Sequence, residues 1–355
     1  MRRLRPAVSG ALLLGLALSA AACGESTSTG AAASFDATAL LHDLSTDVIL
    51  PTYQDLEARS AALDSAAQAL AAAPTAANLA AAQNAWRAAR RPWEQSEAFL
   101  FGPVETDGID PGIDSWPVNV ADLDAVLASS ATLDEQYIEG LQGTLKGFHT
   151  IEYLLFGSAD TLTAAGLSAR DLEYLTASTA ALAAAAAQVR AAWDPAHGNY
   201  VATLSTAGAS GNTVYVSQSA AMQELINGMI DICDEVANSK ISDPFDQHNR
   251  NLEESQFSNN SDADFADNIR SVQHIYLGAY GADTVTGVRA LVLAKAPALD
   301  ATIQTQTSDA IAKIEAMLPT FGAAITADST AVEAARTAVR TLQQTLTNQL
   351  LPLAQ

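Results

Sequence analysis

The stretch SARDLEYLTASTAALAAAAAQVRAAWDP, residues 168–195, decides the fold class. Ser168 stands three residues before Asp171, a pairing in which each side chain can satisfy an amide that the first turn of a helix leaves open. Beyond it, alanine, leucine and other helix formers continue without a break to Trp193. Asp194-Pro195 then stops the helix, because proline lacks the amide and forces the preceding residue into an extended conformation.

Working outward, the same punctuation recurs. It predicts helices over Phe35 to Leu50, Pro51 to Ala72, Thr75 to Leu100 with a bend at Pro92, and Leu133 to Phe156 closed by Gly157 and interrupted near Gly140 to Gly143. Further helices are predicted over Thr213 to Val236, Ala263 to Tyr280, Thr284 to Lys295, Ala298 to Leu318 and Ser329 to Leu350. No segment alternates apolar and polar residues with β-branched enrichment, so the chain reads as all-α without a substantial sheet.

Two long polar connections interrupt this pattern: Gly102 to Val120, with Gly-Pro, Asp-Gly, Asp-Pro-Gly and Trp-Pro pairs, and Ser239 to Asp262, with Asp243-Pro244 and several asparagines. Connections this long in a compact helical protein are functional or disordered, and the aromatic residues retained in both favour order. The Gly, Ser and Thr-containing break at Ala196 to Asn212 divides the body into a half at 35–205 and a half at 206–355.

Residues 1–22 read as a signal peptide, with Arg2, Arg3 and Arg5 before the apolar run Ala11 to Ala22. Ala20-Ala21-Ala22-Cys23 resembles a bacterial lipobox, which makes Cys23 the lipidated first residue of an exported protein and residues 23–34 its flexible tether. Cys233 is then the one cysteine left and is expected in the core. No later stretch has the run of about 18 apolar residues of a membrane span, so the lipid is the expected contact with the membrane.

Of the 355 residues 49% are hydrophobic and only 6% aromatic, and 18 Lys and Arg oppose 40 Asp and Glu for a net charge of −22. So acidic a surface repels phosphate backbones and argues against nucleic-acid binding. Walker loops, dinucleotide-type glycine loops and nucleophile-elbow motifs are absent from the sequence.

Chemistry concentrates in Gly147-Phe148-His149-Thr150-Ile151-Glu152. Three helical residues return a side chain to the same face, so His149 and Glu152 can share a partner. Imidazole nitrogen beside carboxylate oxygen suits iron, zinc or manganese; on spacing alone, a histidine hydrogen-bonded to its own helix neighbour is the favoured reading. Neither zincin pattern is met, since Thr150 follows the histidine and Tyr153 follows the glutamate, and further ligands must come from elsewhere. Glu94 and Glu97 share a helix face, and Asp110 and Asp114 stand in the first loop, where such residues also serve as turn formers. Ser255, Asn268 and Arg270 lie in a polar, aromatic-flanked segment fit to line a pocket.

Taken together these residues resemble the imelysin-like family of bacterial envelopes, marked by Gly-x-His-x-x-Glu. The resemblance extends to Leu50-Pro51-Thr52-Tyr53, to Arg87 through Gly102, to Ile109 through Pro117 and to Glu254 through Gly278. It implies two helical-bundle halves with the histidine motif facing a cleft between them, a periplasmic or outer-membrane location, and a link to iron acquisition. It also implies a metallopeptidase, the activity for which founding members were described, with Glu152 as the catalytic residue. One histidine and one glutamate fall short of the three ligands and general base that a zinc peptidase needs, which favours binding over proteolysis; a scaffold that docks a partner is the remaining alternative. The expected site is a divalent or trivalent metal, iron before zinc, held by His149, Glu152, Glu94, Glu97, Asp110 and Asp114. Trp93, Ser96, Trp116, Ser255, Asn268 and Arg270 would shape its pocket. The expected partners are iron or an iron-containing ligand and an envelope iron-transport protein.

Overall fold

The computed structural model describes residues 35–159, 161–327 and 329–355. The predicted signal peptide, tether and Cys23 lie outside them. The capping pair at Ser168 forms as read: its hydroxyl accepts from the Asp171 amide, the Asp171 carboxylate accepts from the Ser168 amide, and the helix runs Ala169–Trp193.

Eight helices among the described residues reach ten residues or more: α1 (Leu50–Ala72), α2 (Ala76–Glu94), α3 (Gly147–Phe156), α4 (Ala169–Trp193), α5 (Gln218–Glu235), α6 (Ser261–Leu277), α7 (Asp300–Glu315) and α8 (Ser329–Thr345). α1 packs along α2 and α4, and α3 closes against α2 and α4, which makes one bundle. In the second, α7 lies between α6 and α8 while α5 contacts both of those helices. The bundles meet where α6 packs on α2 and where the turn Glu97–Phe99 settles on α5 and α6. Gly228 of α5 permits that approach, because a Cβ there would stand 2.2 Å from the Ala98 carbonyl oxygen.

The core runs through both bundles, with Tyr53, Trp86, Trp93, Trp193, Phe148 and Phe265 fully buried. Trp86 locks α2 to α3: its indole donates to the Phe148 carbonyl at 2.9 Å and its ring meets Phe148 and Phe156 edge-on. Cys233 is buried on α5, as expected.

Several boundaries differ from the sequence reading. The run Leu133 to Phe156 is interrupted near Gly140 to Gly143 as read, but its first helix spans only Glu135–Glu139, and a tight turn Gly143–Leu145 precedes α3. α2 stops at Glu94, yet Pro92 sits inside it. Both long connections carry short helices, Pro103–Thr106 and Asp110–Ile113 in the first and Ser242–Asp246 in the second. The helix expected from Thr284 begins at Arg289, because Ala279–Tyr280 and Asp283–Thr284 pair as a two-residue antiparallel ladder (β1 and β2).

Gly147 opens α3 with φ +76°, and a Cβ there would lie 2.2 Å from the Ile113 carbonyl oxygen. The glycine of the histidine motif is therefore what lets the Asp110–Ile113 segment sit against the start of α3. Gly147→Ala is expected to cost about 2 kcal/mol or more through backbone strain and displacement of that segment, and Trp86→Ala about 3 to 5 kcal/mol. Urea denaturation of the two variants checks both figures, and a Gly147→Ala protein as stable as the parent would mean that the segment shifts without cost.

Candidate buried charge centre

Five stretches of chain deliver charged side chains to one buried place at the seam between the bundles. α2 contributes Arg90 and Glu94, one turn apart, together with Trp93. Asp114 follows the short helix Asp110–Ile113, and α3 supplies His149 and Glu152. The polar segment before α6 brings Glu254 and Ser255, and α6 brings Asp264 and Asn268. Lys240, just beyond α5, completes the group. Arg90, Glu94, Glu152, Ser255 and Asn268 are fully buried, His149 is 1% exposed, and the rest are almost as well enclosed.

Arg90 is the hub. Its Nη2 stands 2.6 Å from Glu94 and 2.8 Å from Glu254, its Nη1 contacts Asp114, and its Nε lies 3.6 Å from Asp264. Lys240 reaches Glu254 at 3.0 Å and Glu94 at 3.7 Å, and its ammonium lies 5.5 Å from the Trp116 ring centroid. Neutral groups hold three further oxygens. The Trp93 indole donates to Asp114 Oδ2 at 2.7 Å, the Asn268 amide to Glu94 at 2.6 Å, and the Ser255 hydroxyl to Asp264.

His149 sits between two carboxylates. Nδ1 is 3.1 Å from Glu152 Oε2, so the pair is indeed bonded along its own helix, while Nε2 is 3.0 Å from Asp114 Oδ1 but outside hydrogen-bonding geometry. The second oxygen of Glu152 accepts from the Phe257 amide, the Ser258 amide and the Ser258 hydroxyl, at 3.0, 2.8 and 2.8 Å. Every oxygen of Glu152 is thus engaged.

Burial and the Arg90 guanidinium both act to lower the His149 pKa, but the close approach and charge of Asp114 and the bond to Glu152 outweigh them and raise it to about 9. Asp114 resists burial through Arg90, His149 and Lys240 and titrates far below the usual carboxylate range. Burial pushes Asp264 up to about 7 against the pull of Arg90. Glu94 rises for the same reason, with Glu254 and Asp264 adding repulsion. Five carboxylates (Glu94, Asp114, Glu152, Glu254, Asp264) face three cations (Arg90, Lys240, His149), two fewer. The raised pKa values express that imbalance.

Donor atoms suited to a metal converge here. A ring nitrogen of His149 and one oxygen each of Asp114 and Glu254 lie within 4.8 Å of one another, and oxygens of Glu94, Glu97 and Asp114 form a second such group. His149 Nε2, Glu94 Oε1 and Glu254 Oε2 are buried without a hydrogen-bond partner. A mixed nitrogen and oxygen set with unsatisfied buried donors fits a borderline cation such as iron.

The other residues singled out in the sequence divide into three groups. Trp93, Trp116, Ser255 and Asn268 border the centre, Trp116 with its ring 6.1 Å from the His149 ring. Ser96 is buried but bonds the Trp93 carbonyl. Asp110 lines a neighbouring cavity of about 610 Å³ with Glu97, Glu105, Glu224, Asp231 and Glu235, and burial raises Asp110 to about 6. Arg270 belongs elsewhere, paired with Asp267 and Glu315 on the far turn of α6 from Asp264. Sequence reading missed Arg90, Lys240, Glu254 and Asp264 as parts of the centre. The signal available was the Arg90–Glu94 spacing, which places opposite charges one helical turn apart.

In an unfolded chain His149 titrates near 6.5 and in the fold near 9. A raised histidine contributes stability that is complete below pH 6.5 and lost as pH climbs to about 9, here on the order of 3 kcal/mol. Asp264, raised to about 7, loses its contribution between its unfolded value of 3.8 and pH 7, and the raised Glu94 and Glu97 act in the same direction, so a His149 variant is needed to separate the histidine's share. The urea midpoint of metal-free protein should fall from pH 7 to 9 and should fall less steeply in His149→Gln; an equal slope in both would detach the effect from His149.

The Imelysin family model, a peptidase group, matches residues 49–353. Iron-regulated protein A of Synechococcus elongatus is 30% identical over 313 residues, which cover 87% of this chain and 84% of that protein. A crystal structure from Parabacteroides distasonis, assigned as an iron-regulated protein A precursor, superposes with a TM-score of 0.81 at 26% identity over 92% of this chain and 97% of that one. An imelysin-like protein from Psychrobacter arcticum shares the fold, with a TM-score of 0.72 at 16% identity over 88% and 94% of the two chains. By the extent of the family match and of the cyanobacterial relative, the chain belongs to the imelysin family.

Proposed function

We propose that the protein binds iron, as an ion or in a small chelate, at the buried seam and serves iron uptake at the bacterial cell envelope. The observation that carries this reading is the convergence of His149, Asp114 and Glu254 with buried donor atoms that have no hydrogen-bond partner. The names of the two iron-regulated relatives add to it. His149 Nε2, Asp114 and Glu254 would hold the metal. Glu152 would fix the imidazole through Nδ1, the outer-shell role that metal-ligating histidines commonly require.

The charge balance supports the same assignment. Two surplus carboxylates in a low-dielectric seam need either protons or a cation, and once the His149 proton is lost a divalent ion would leave one negative charge there and a trivalent ion none. Binding would release the extra proton of His149. Glu97 links the seam to the acidic cavity, since its carboxylate lies within 4.8 Å of donor atoms of Glu94 and Asp114 and also lines that cavity. Cations would be concentrated there before entry.

Peptidase chemistry is the second reading, favoured by the family match. It would need a base with a free lone pair, and Glu152 has none to spare in this arrangement. Export, anchoring through Cys23 and handover to an envelope transporter complete the proposal. No helix among the described residues is long and apolar enough to cross a membrane.

Elemental analysis after incubation with iron, zinc or manganese and desalting tests the site. Stoichiometric metal is expected in the parent, with a loss of about tenfold or more in affinity for His149→Ala and Glu254→Gln. Absence of metal from the folded parent would overturn the binding reading, and chelator-sensitive cleavage of an unfolded polypeptide would replace it with the second.

A further inference from the structure

A second cavity, of about 400 Å³, opens over α2 and α6 and has the opposite character to the acidic one. Arg87, Arg91 and Arg270 line it with Asn260, Ala263, Asp264 and Asp267. Three guanidiniums in one small cavity are unexpected in a chain with a net charge of −22.

The two acids in the wall do not account for them. Asp264 is turned to Arg90 and takes hydrogen bonds from Ser255 and Asn260. Asp267 accepts from Gln95 at 2.7 Å and from Arg270 at 3.0 Å, and Arg270 also contacts Glu315. That leaves two arginines. Arg87 donates to the Ser258 carbonyl at 3.2 Å and rests 4.6 Å from the centroid of Phe156, with no carboxylate in an ion pair. Arg91, exposed at the rim, makes neither a hydrogen bond nor an ion pair among the described residues. The pair stands one helical turn apart on α2, where like charges repel.

Nearby groups register the same positive field. His274, on α6, is depressed to about 4 by burial and then by Arg91 and Arg270, so it is neutral at physiological pH. Its Nδ1 is buried and lacks a hydrogen-bond partner.

We propose that this cavity is a binding site for a small polyvalent oxyanion, with Arg87 and Arg91 as its principal donors and Arg270 as its third wall. Planar guanidiniums recognise the paired oxygens of carboxylate and phosphate groups. The ligand class is therefore a di- or tricarboxylate or a phosphate, and the cavity is large enough for either. The site also touches the seam. Arg87 holds the Ser258 carbonyl, while the amide and hydroxyl of Ser258 hold Glu152, and Asp264 faces both the cavity and Arg90. Under the iron-binding reading an anionic chelate would place its acid groups here, although the oxyanion site itself does not depend on that reading.

The test is calorimetric titration of the metal-free protein with citrate and, separately, with inorganic phosphate, at fixed ionic strength set by sodium chloride. Saturable binding of at least one is expected. Arg91→Ala, which removes no hydrogen bond or ion pair among the described residues, should weaken it about tenfold or more with little change in the thermal midpoint, and Arg91→Glu should abolish it. Binding of citrate alone assigns a carboxylate ligand, binding of phosphate alone a phosphate. No binding of either, or affinity unchanged in both Arg91 variants, would overturn the proposal. Because the protein carries no metal in this titration, its failure is separate from any failure of the iron-binding reading.

Discussion

A single buried guanidinium organises this molecule. Arg90 has no access to solvent and meets four carboxylates that come from α2, from the Asp110–Ile113 connection, from the segment before α6 and from α6 itself. A charge removed from water to this degree is tolerable only where counter-charges and hydrogen bonds surround it. Those contacts span both bundles, so the seam cannot close without them. Arginine suits the place because its planar fork meets several carboxylates at once and it does not give up its proton.

Close backbone approaches work alongside these charges and the shared core. Gly228 lets α5 lie against the Ala98 carbonyl, and Gly147 lets the Asp110–Ile113 segment lie against the start of α3. Each glycine removes a side chain where two backbones approach, and each approach delivers acids to the seam. At Gly147 the delivered residue is Asp114, whose carboxylate then contacts Arg90, His149 and the Trp93 indole. The glycine and the histidine of the motif therefore belong to one piece of physics. One admits the segment, and the other receives its carboxylate.

Local rules made the helices legible. The Ser168 and Asp171 pair, the stop at Asp194-Pro195 and the closure at Gly157 each depend on neighbours within four residues, and each is found as read. What lay beyond reading was non-local. Lys240 stands in a stretch that looks like a solvated loop, yet it is buried because carboxylates of Glu94 and Glu254, from elsewhere in the chain, need its charge. Glu254 is one of two adjacent glutamates, and nothing in their order tells which faces Arg90. Arg270 illustrates the reverse error. It stands half a turn from Asn268 in sequence, and on a helix that spacing sends the two side chains to different faces, one to the seam and the other to the rim.

The motif histidine shows why spacing alone could not choose between a structural and a ligating role: one ring nitrogen is bonded along the helix and the other has no hydrogen-bond partner. Nδ1 is committed to Glu152, which is itself anchored by the backbone at Phe257 and Ser258, so the ring cannot rotate away. That commitment points Nε2 toward Asp114 and into the group that includes Glu254, where its proton is held by charge without good hydrogen-bond geometry. A proton held in that way is one that a cation can replace at small geometric cost. Under the proposed iron-binding role, the same structural bond that makes the histidine look inert would prepare its other nitrogen, and the surplus of carboxylates around it would favour a positive incoming group.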